Sequence, residues 1–139
     1  MSFKLLNSQL SHQDFESLLS GSTLTTILIM GDFIYSANVG DSKAMLVKKK
    51  KKSSSYNFGV FEGDPFQLTV DHRPNDYIEK QRIERNGGVV KQAGTLKPNG
   101  IFRVWLKDKD FPGLAMSRSI GDKLAHSVGV TSIPGESHR

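Results

Sequence analysis

The sequence predicts an antiparallel α+β chain, and three features carry that reading. Leu24–Met30, "LTTILIM", and Phe33–Val39, "FIYSANV", are apolar, β-branched runs separated by Gly31-Asp32, a two-residue hairpin signal. "DHRPNDYIEKQRIERNGG" has the residues of a surface helix and a glycine stop. Ile101–Leu106, "IFRVWL", alternates with the period of a strand.

The elements follow in order. Ser11–Leu19, "SHQDFESLL", reads as a short helix: Ser11 at the cap, Asp14 completing a capping-box-like pair, and Phe15, Leu18 and Leu19 on one face. Leu24–Met30 reads as a buried strand, because it is β-branched and apolar. Phe33–Val39 returns antiparallel to it, and Gly40-Asp41-Ser42 turns into a third strand, Lys43–Val47, which gives a meander. Phe58–Phe61 and Phe66–Val70 are strand candidates around the turn Gly63-Asp64-Pro65. In the helix, Asp76 is placed to cap, with Glu79 three residues on, and Ile78 and Ile83 supply a thin apolar face, which puts the helix on a surface. Asn86, Gly87 and Gly88 stop it, one of them in a left-handed cap. Val89-Val90 is a short strand, Pro98-Asn99-Gly100 a turn, and Leu114–Met116 the start of a short buried strand. The stretch from Gly121 to Val130 is ambiguous between helix and loop.

Composition narrows the function classes. The 139 residues suffice for one domain with a modest core. The net charge of +5 comes from one place, the five lysines Lys48–Lys52; the other 14 Lys and Arg balance the 14 Asp and Glu. Lys48–Ser55 is therefore read as a basic, serine-rich loop insertion between strands. Such a run can bind nucleic acid or anionic lipid, but no aromatic residue interrupts it to stack on bases, which argues against nucleic acid. The chain has no cysteine, which excludes disulfides, thiol catalysis and a Cys-ligated zinc, and suits a reducing compartment. The N-terminus has no signal-peptide pattern and no apolar run reaches membrane-spanning length. The expectation is a soluble intracellular protein, cytoplasmic or nuclear, with no membrane partner.

Four stretches, in order, resemble one family. They are "GSTLTTILIMGDFIYSANVGDSKAML", "LTVDHRPNDYIEKQRIERNGGVV", "RVWLKDKDFPGLAMSRSIGD" and "SVGVTSIP", together covering about Ser20 to Pro134. The family is that of the PP2C-like, or PPM, metal-dependent protein serine/threonine phosphatases. The resemblance implies an antiparallel β-sandwich flanked by helices, and a reaction in which paired Mg²⁺ or Mn²⁺ ions activate a water that attacks phosphorus in phosphoserine or phosphothreonine. It also implies that Asp41 matches an aspartate beside the metal centre that helps bind a further cation, and that Thr23 lies near the same centre.

The departures from the family pattern matter as much. No Asp-Gly and no Gly-His-Gly occurs in the sequence, and Pro134-Gly135-Glu136 stands where the family reads Pro-Glu. The resemblance thus implies residues 1–139 as a single, incomplete domain, lacking the flanking segments that hold the core metals. No catalytic residue is assigned, the substrate-binding residues are unknown, and the isolated chain is expected to be inactive. Two other readings stand beside this one: a non-catalytic interaction protein derived from a phosphatase domain, and a basic nucleic-acid- or lipid-binding module. Strands deprived of their neighbours point to a homodimer or another protein partner, and a completed domain would take a phosphoprotein substrate.

Four further positions are weighed on their residues. Arg118 in "SRS" either faces phosphate or forms a structural ion pair; Asp122 is a cap or turn residue; His72 is structural; and Trp105 packs. Ser22, Ser117 and Ser119 are not nucleophiles, since no histidine is evidently placed to activate them.

Overall fold

The computed structural model describes residues 2–13, 16–47, 64–93 and 100–138. In chain order the elements are α1 (Phe3–Leu10), β1 (Gly21–Ser22), β2 (Leu24–Met30), β3 (Phe33–Val39), β4 (Met45–Val47) and β5 (Pro65–Gln67). There follow α2 (Tyr77–Arg85), β6 (Gly88–Gln92), β7 (Phe102–Leu106), β8 (Pro112–Leu114), β9 (Ile120–Gly121), α3 (Lys123–His126) and β10 (Gly135–His138). The strands pair antiparallel, in the orders β10-β3-β2, β6-β7-β8, β4-β5 and β1-β9. The α+β, antiparallel class is as expected.

The first helix is not where the cap residues placed it. It runs Phe3–Leu10, capped by Ser2, whose hydroxyl accepts from the Leu5 N–H at 3.2 Å. Ser11 ends it instead of starting it: its hydroxyl donates to the Asn7 carbonyl at 3.1 Å. A serine serves either end of a helix, and the spacing of Phe3, Leu6, Asn7 and Leu10, the half-buried positions, decides which.

The β2–β3 hairpin forms as read, with Met30 opposite Phe33 and Gly31 at φ +56°. β2 is not buried: Ile29 is 68 % exposed, and Ile27, Leu28 and Met30 are exposed with it. Nor does the meander continue. β3 pairs with β2 on one side and β10 on the other, so the third strand, reduced to Met45–Val47, leaves to pair with Pro65–Gln67. The expected strand at Phe58–Phe61, the loop Lys48–Ser55 and the turn at Pro98-Asn99-Gly100 lie wholly or mostly outside the described residues.

The core sits between α2, the β6-β7-β8 sheet and the segment after α3. Ile83, Val90, Val104, Ala125, Val128 and Val130 are its buried members, with Phe102, Leu106 and Leu114 packed against them. α2 presents Glu79 and Ile83 to the interior, while Ile78 is 74 % exposed. Residues five apart point about 140° from one another on a helix, so Ile78 and Ile83 never shared a face. Asp76 occupies the N-cap position of α2 without a side-chain capping bond; its carboxylate accepts from the Arg73 N–H at 3.4 Å. Gly87 supplies the left-handed stop at φ +82°. A Cβ on Gly88 would stand 2.6 Å from the Ile83 Cγ2, so only glycine lets β6 leave the helix this closely.

Candidate functional site

The turn Gly40-Asp41-Ser42 ends β3, and Thr23 and His72 hold it. Gly40 has φ +97°, and a Cβ there would fall 2.4 Å from the Thr23 Cγ2, so Thr23 packs directly on the glycine. The Thr23 and Ser42 hydroxyls are 2.7 Å apart and hydrogen-bonded. His72, buried, bonds the glycine twice: its Nδ1 accepts from the Gly40 N–H at 3.2 Å, and its own N–H donates to the Gly40 carbonyl at 3.0 Å.

Below the turn, β3 buries polar residues. The Ser36 hydroxyl donates to the Leu68 carbonyl at 2.7 Å. The Asn38 amide donates to the carbonyls of Gly40 and Val70, each at 3.0 Å, and its oxygen accepts from the Thr25 hydroxyl at 2.6 Å. Segment 68–72 is thus clamped to β3 by side chains, which satisfies groups that would otherwise be costly to bury. On the rim, the Asp71 carboxylate takes both Lys43 Nζ and Arg73 Nη2, the latter at 2.7 Å. The hydrogen bond from Lys43, then that from Arg73, outweighs the cost of partial burial and keeps the Asp71 pKa below the usual carboxylate value.

Thr23 and the turn carrying Asp41 therefore come together. His72 is structural as expected, and it is the residue that fixes the turn. Arg118 resolves to the ion pair: its Nη2 is 2.7 Å from Glu79 Oε1, and Nη1 donates to the Ile133 carbonyl at 2.9 Å. Asp122 occupies the N-cap position of α3 at φ +45° with no side-chain capping bond, and burial raises its pKa. Trp105 packs on Gly113 and donates from Nε1 to the Lys91 carbonyl at 3.3 Å.

One reading of the serines needs correction. A histidine does stand beside Ser119: His126 Nε2 lies 3.4 Å from its hydroxyl. Ser119 is nonetheless completely buried, and the same Nε2 lies 3.0 Å from the Ser119 carbonyl, so the pair closes a turn out of reach of substrate.

Hard divalent cations require about six oxygen donors. Among the described residues, no group of three or more His, Asp or Glu converges to hold a metal ion. Asp41 brings one carboxylate, so these residues do not by themselves fit a divalent-cation centre.

The dependence of the turn on neutral His72 has a pH consequence. Burial, aided by the nearby Arg118 charge, lowers the His72 pKa from 6.5, against the opposing pull of Glu79. A lowered folded pKa gives stability that is present above 6.5 and lost as the pH falls from there toward the folded value. The urea midpoint should fall between about pH 7.5 and about pH 5.5. His126, whose pKa burial also lowers, contributes in the same direction. His72→Asn, which retains an acceptor but cannot titrate, should shrink that fall to the His126 share. An unchanged fall in the variant would show that His72 does not carry it.

A family profile described as "Protein phosphatase 2C" matches residues 2–136, which takes in α1, upstream of the stretches that carried the resemblance. "Probable protein phosphatase 2C 52" of Arabidopsis thaliana is 40% identical over 139 residues, covering 99% of the chain and 28% of the relative. "Probable protein phosphatase 2C 48" of Oryza sativa subsp. japonica is 41% identical over 125 residues, covering 89% and 33%. The chain thus spans about a third of the length of the curated relatives it matches. Among solved structures, a serine-threonine phosphatase 2C from Toxoplasma gondii superposes with a TM-score of 0.71 at 23% identity, covering 98% of this chain and 40% of that one. A sex determining protein of C. elegans superposes at 0.68, covering 99% and 28%. At that identity the superpositions establish a shared fold, of which this chain holds part. With a profile match across nearly its whole length and relatives near 40% identity, the chain belongs to the protein phosphatase 2C family.

Proposed function

We propose that the chain supplies the middle of a metal-dependent protein serine/threonine phosphatase domain, with phosphoserine and phosphothreonine in proteins as the substrate of the whole. The observation that carries this reading is the Gly40-Asp41-Ser42 turn, clamped by Thr23 and His72 at the end of β3 in a chain of this family. In it Asp41 is the metal-side carboxylate, Thr23 a neighbour of the centre, and Mg²⁺ or Mn²⁺ the cation. The remaining ligands come from segments beyond those described, so the isolated chain does not turn over. Purified chain with Mn²⁺ should hydrolyse neither a phosphopeptide nor p-nitrophenyl phosphate above background. Turnover that saturates with Mn²⁺ and vanishes in Asp41→Asn would overturn the reading.

A second reading, a non-catalytic interaction protein, is favoured by one specific feature: the uncovered apolar face of the β2–β3 hairpin. Under either reading we propose self-association through that hairpin. Among the described residues, no helix is long and apolar enough to cross a membrane.

A further inference from the structure

Starting at Arg73, the residue after His72, the chain lines a cavity of about 340 Å³, walled by the Arg73-Pro74-Asn75 turn on one side and by Gln92, Ile101 and Phe102 of the β6–β7 hairpin on the other. Both walls are built. The Asp76 N–H donates to the Arg73 carbonyl at 3.1 Å, and the Ser117 N–H to the His72 carbonyl at 3.0 Å. Gln92 and Phe102 are paired across the sheet.

The cations on this rim are only partly engaged. Lys43 and Arg73 share the carboxylate of Asp71, and the Asp76 carboxylate takes the Arg73 backbone N–H, not its guanidinium. The side chains of both cations stay about half exposed, at 47 % and 48 %. Arg73 spends only Nη2 on Asp71; among the described residues, its Nε and Nη1 donate to nothing. A guanidinium with free donors at the mouth of a pocket that also offers Ile101 and Phe102 matches a carboxylate with an apolar neighbour.

We infer that this pocket is a docking subsite for an acidic peptide segment, with Arg73 pairing a carboxylate and Ile101 and Phe102 receiving the adjacent apolar side chain. The inference deepens the proposed function and rests on it for the peptide's role: the pocket begins one residue from His72, so a phosphoprotein at the Asp41 turn would lay its flanking residues here.

The test is direct binding and requires no turnover. The probe is a fluorescein-labelled acetyl-Ala-Glu-Glu-Leu-Glu-Ala amide, titrated with the full chain and followed by anisotropy. Arg73→Ala should weaken binding about fivefold, as expected for the loss of a half-exposed ion pair. Gln92→Arg, which adds a cation to the opposite wall, should tighten it. Lys80→Ala, on the outer face of α2, should leave it unchanged, as should replacement of Lys48–Lys52 by Gly and Ser. Circular dichroism melts establish that each variant is folded. Binding that survives Arg73→Ala but disappears with the lysine run would overturn the inference, and so would no binding by the folded wild type. Either result leaves the phosphatase reading standing, because that reading is judged by Asp41 and metal.

Discussion

Replacing Glu79 should do more damage to this fold than any other single charge change. Its carboxylate is buried, and both oxygens are fully used. Oε1 accepts from Arg82 Nη1 at 2.8 Å and Arg118 Nη2 at 2.7 Å; Oε2 accepts from Arg82 Nη2 at 2.8 Å, the Ser117 hydroxyl at 2.6 Å and Arg118 Nε at 3.1 Å. The two arginines then reach outward, Arg82 Nε to the Gly129 carbonyl at 2.7 Å and Arg118 to Ile133. One carboxylate therefore ties α2 to the Ser117-Arg118-Ser119 segment and to the chain after α3. Removing one partner of a buried ionic cluster leaves the others desolvated and unpaired, at a cost of about 3–5 kcal/mol. Glu79→Ala should accordingly lower the melting temperature by roughly 10–20 °C. Arg118→Ala should cost less, because Arg82 still pairs the carboxylate.

Titration provides an independent measure of the same cluster. Burial pushes the Glu79 pKa up, yet the hydrogen bonds from Arg82, Arg118 and Ser117 prevail and hold it at about 2, against 4.5 ordinarily. That separation is worth about 3 kcal/mol. Because the folded value is the lower one, the stabilisation is present above pH 4.5 and is lost as the pH falls from there toward 2. Acid unfolding of the wild type should therefore set in below about pH 4.5, and Glu79→Gln should flatten it there. A Glu79→Ala protein that melts within a degree or two of the wild type would show that the cluster is dispensable.

The cluster also marks where sequence reading stops. Strands β2, β3 and β7 and helix α2 are legible because each is a local pattern of apolar period and turn chemistry. The Gly40-Asp41-Ser42 turn is legible from its own residues, but the places given to Asp41 and Thr23 beside a metal centre rest on resemblance. The bond between Glu79 and Arg118 spans 39 residues and has no local signal. The same holds for His72, which "DHRP" marks as unusual without saying that its ring accepts from Gly40, 32 residues earlier. The error on β2 has a different cause. A β-branched, apolar strand is ordinarily buried on both faces, but that rule presupposes layers to bury it, and the described residues contain none over β2.

Self-association should follow from that missing layer. Cross-strand partners share a face, so the pairs Leu28–Tyr35 and Met30–Phe33 place four large apolar side chains together. They are between 38% and 55% exposed, and the Phe33 and Tyr35 rings lie 6.4 Å apart. Ile27 faces the other way with Ser36, which is tied to Leu68. The outer edge of β2 has no strand beside it among the described residues. An unpaired edge next to an apolar face templates further pairing, and a second copy can present the same edge about a two-fold axis. Stable interfaces bury roughly 800 Å² per partner, which the hairpin and its edge are large enough to offer. We expect a homodimer in sedimentation at micromolar concentration, and aggregation on concentrating. Leu28→Asp, at the centre of the four-residue face, should shift the chain to monomer by at least about tenfold in the dissociation constant, since burying the charge costs well over 1.4 kcal/mol. Ile78→Asp, equally apolar to acidic but on α2, should not change the sedimentation. A wild-type monomer with one sharp unfolding transition would sink the proposal, because the hairpin would then be stable with its apolar face in water.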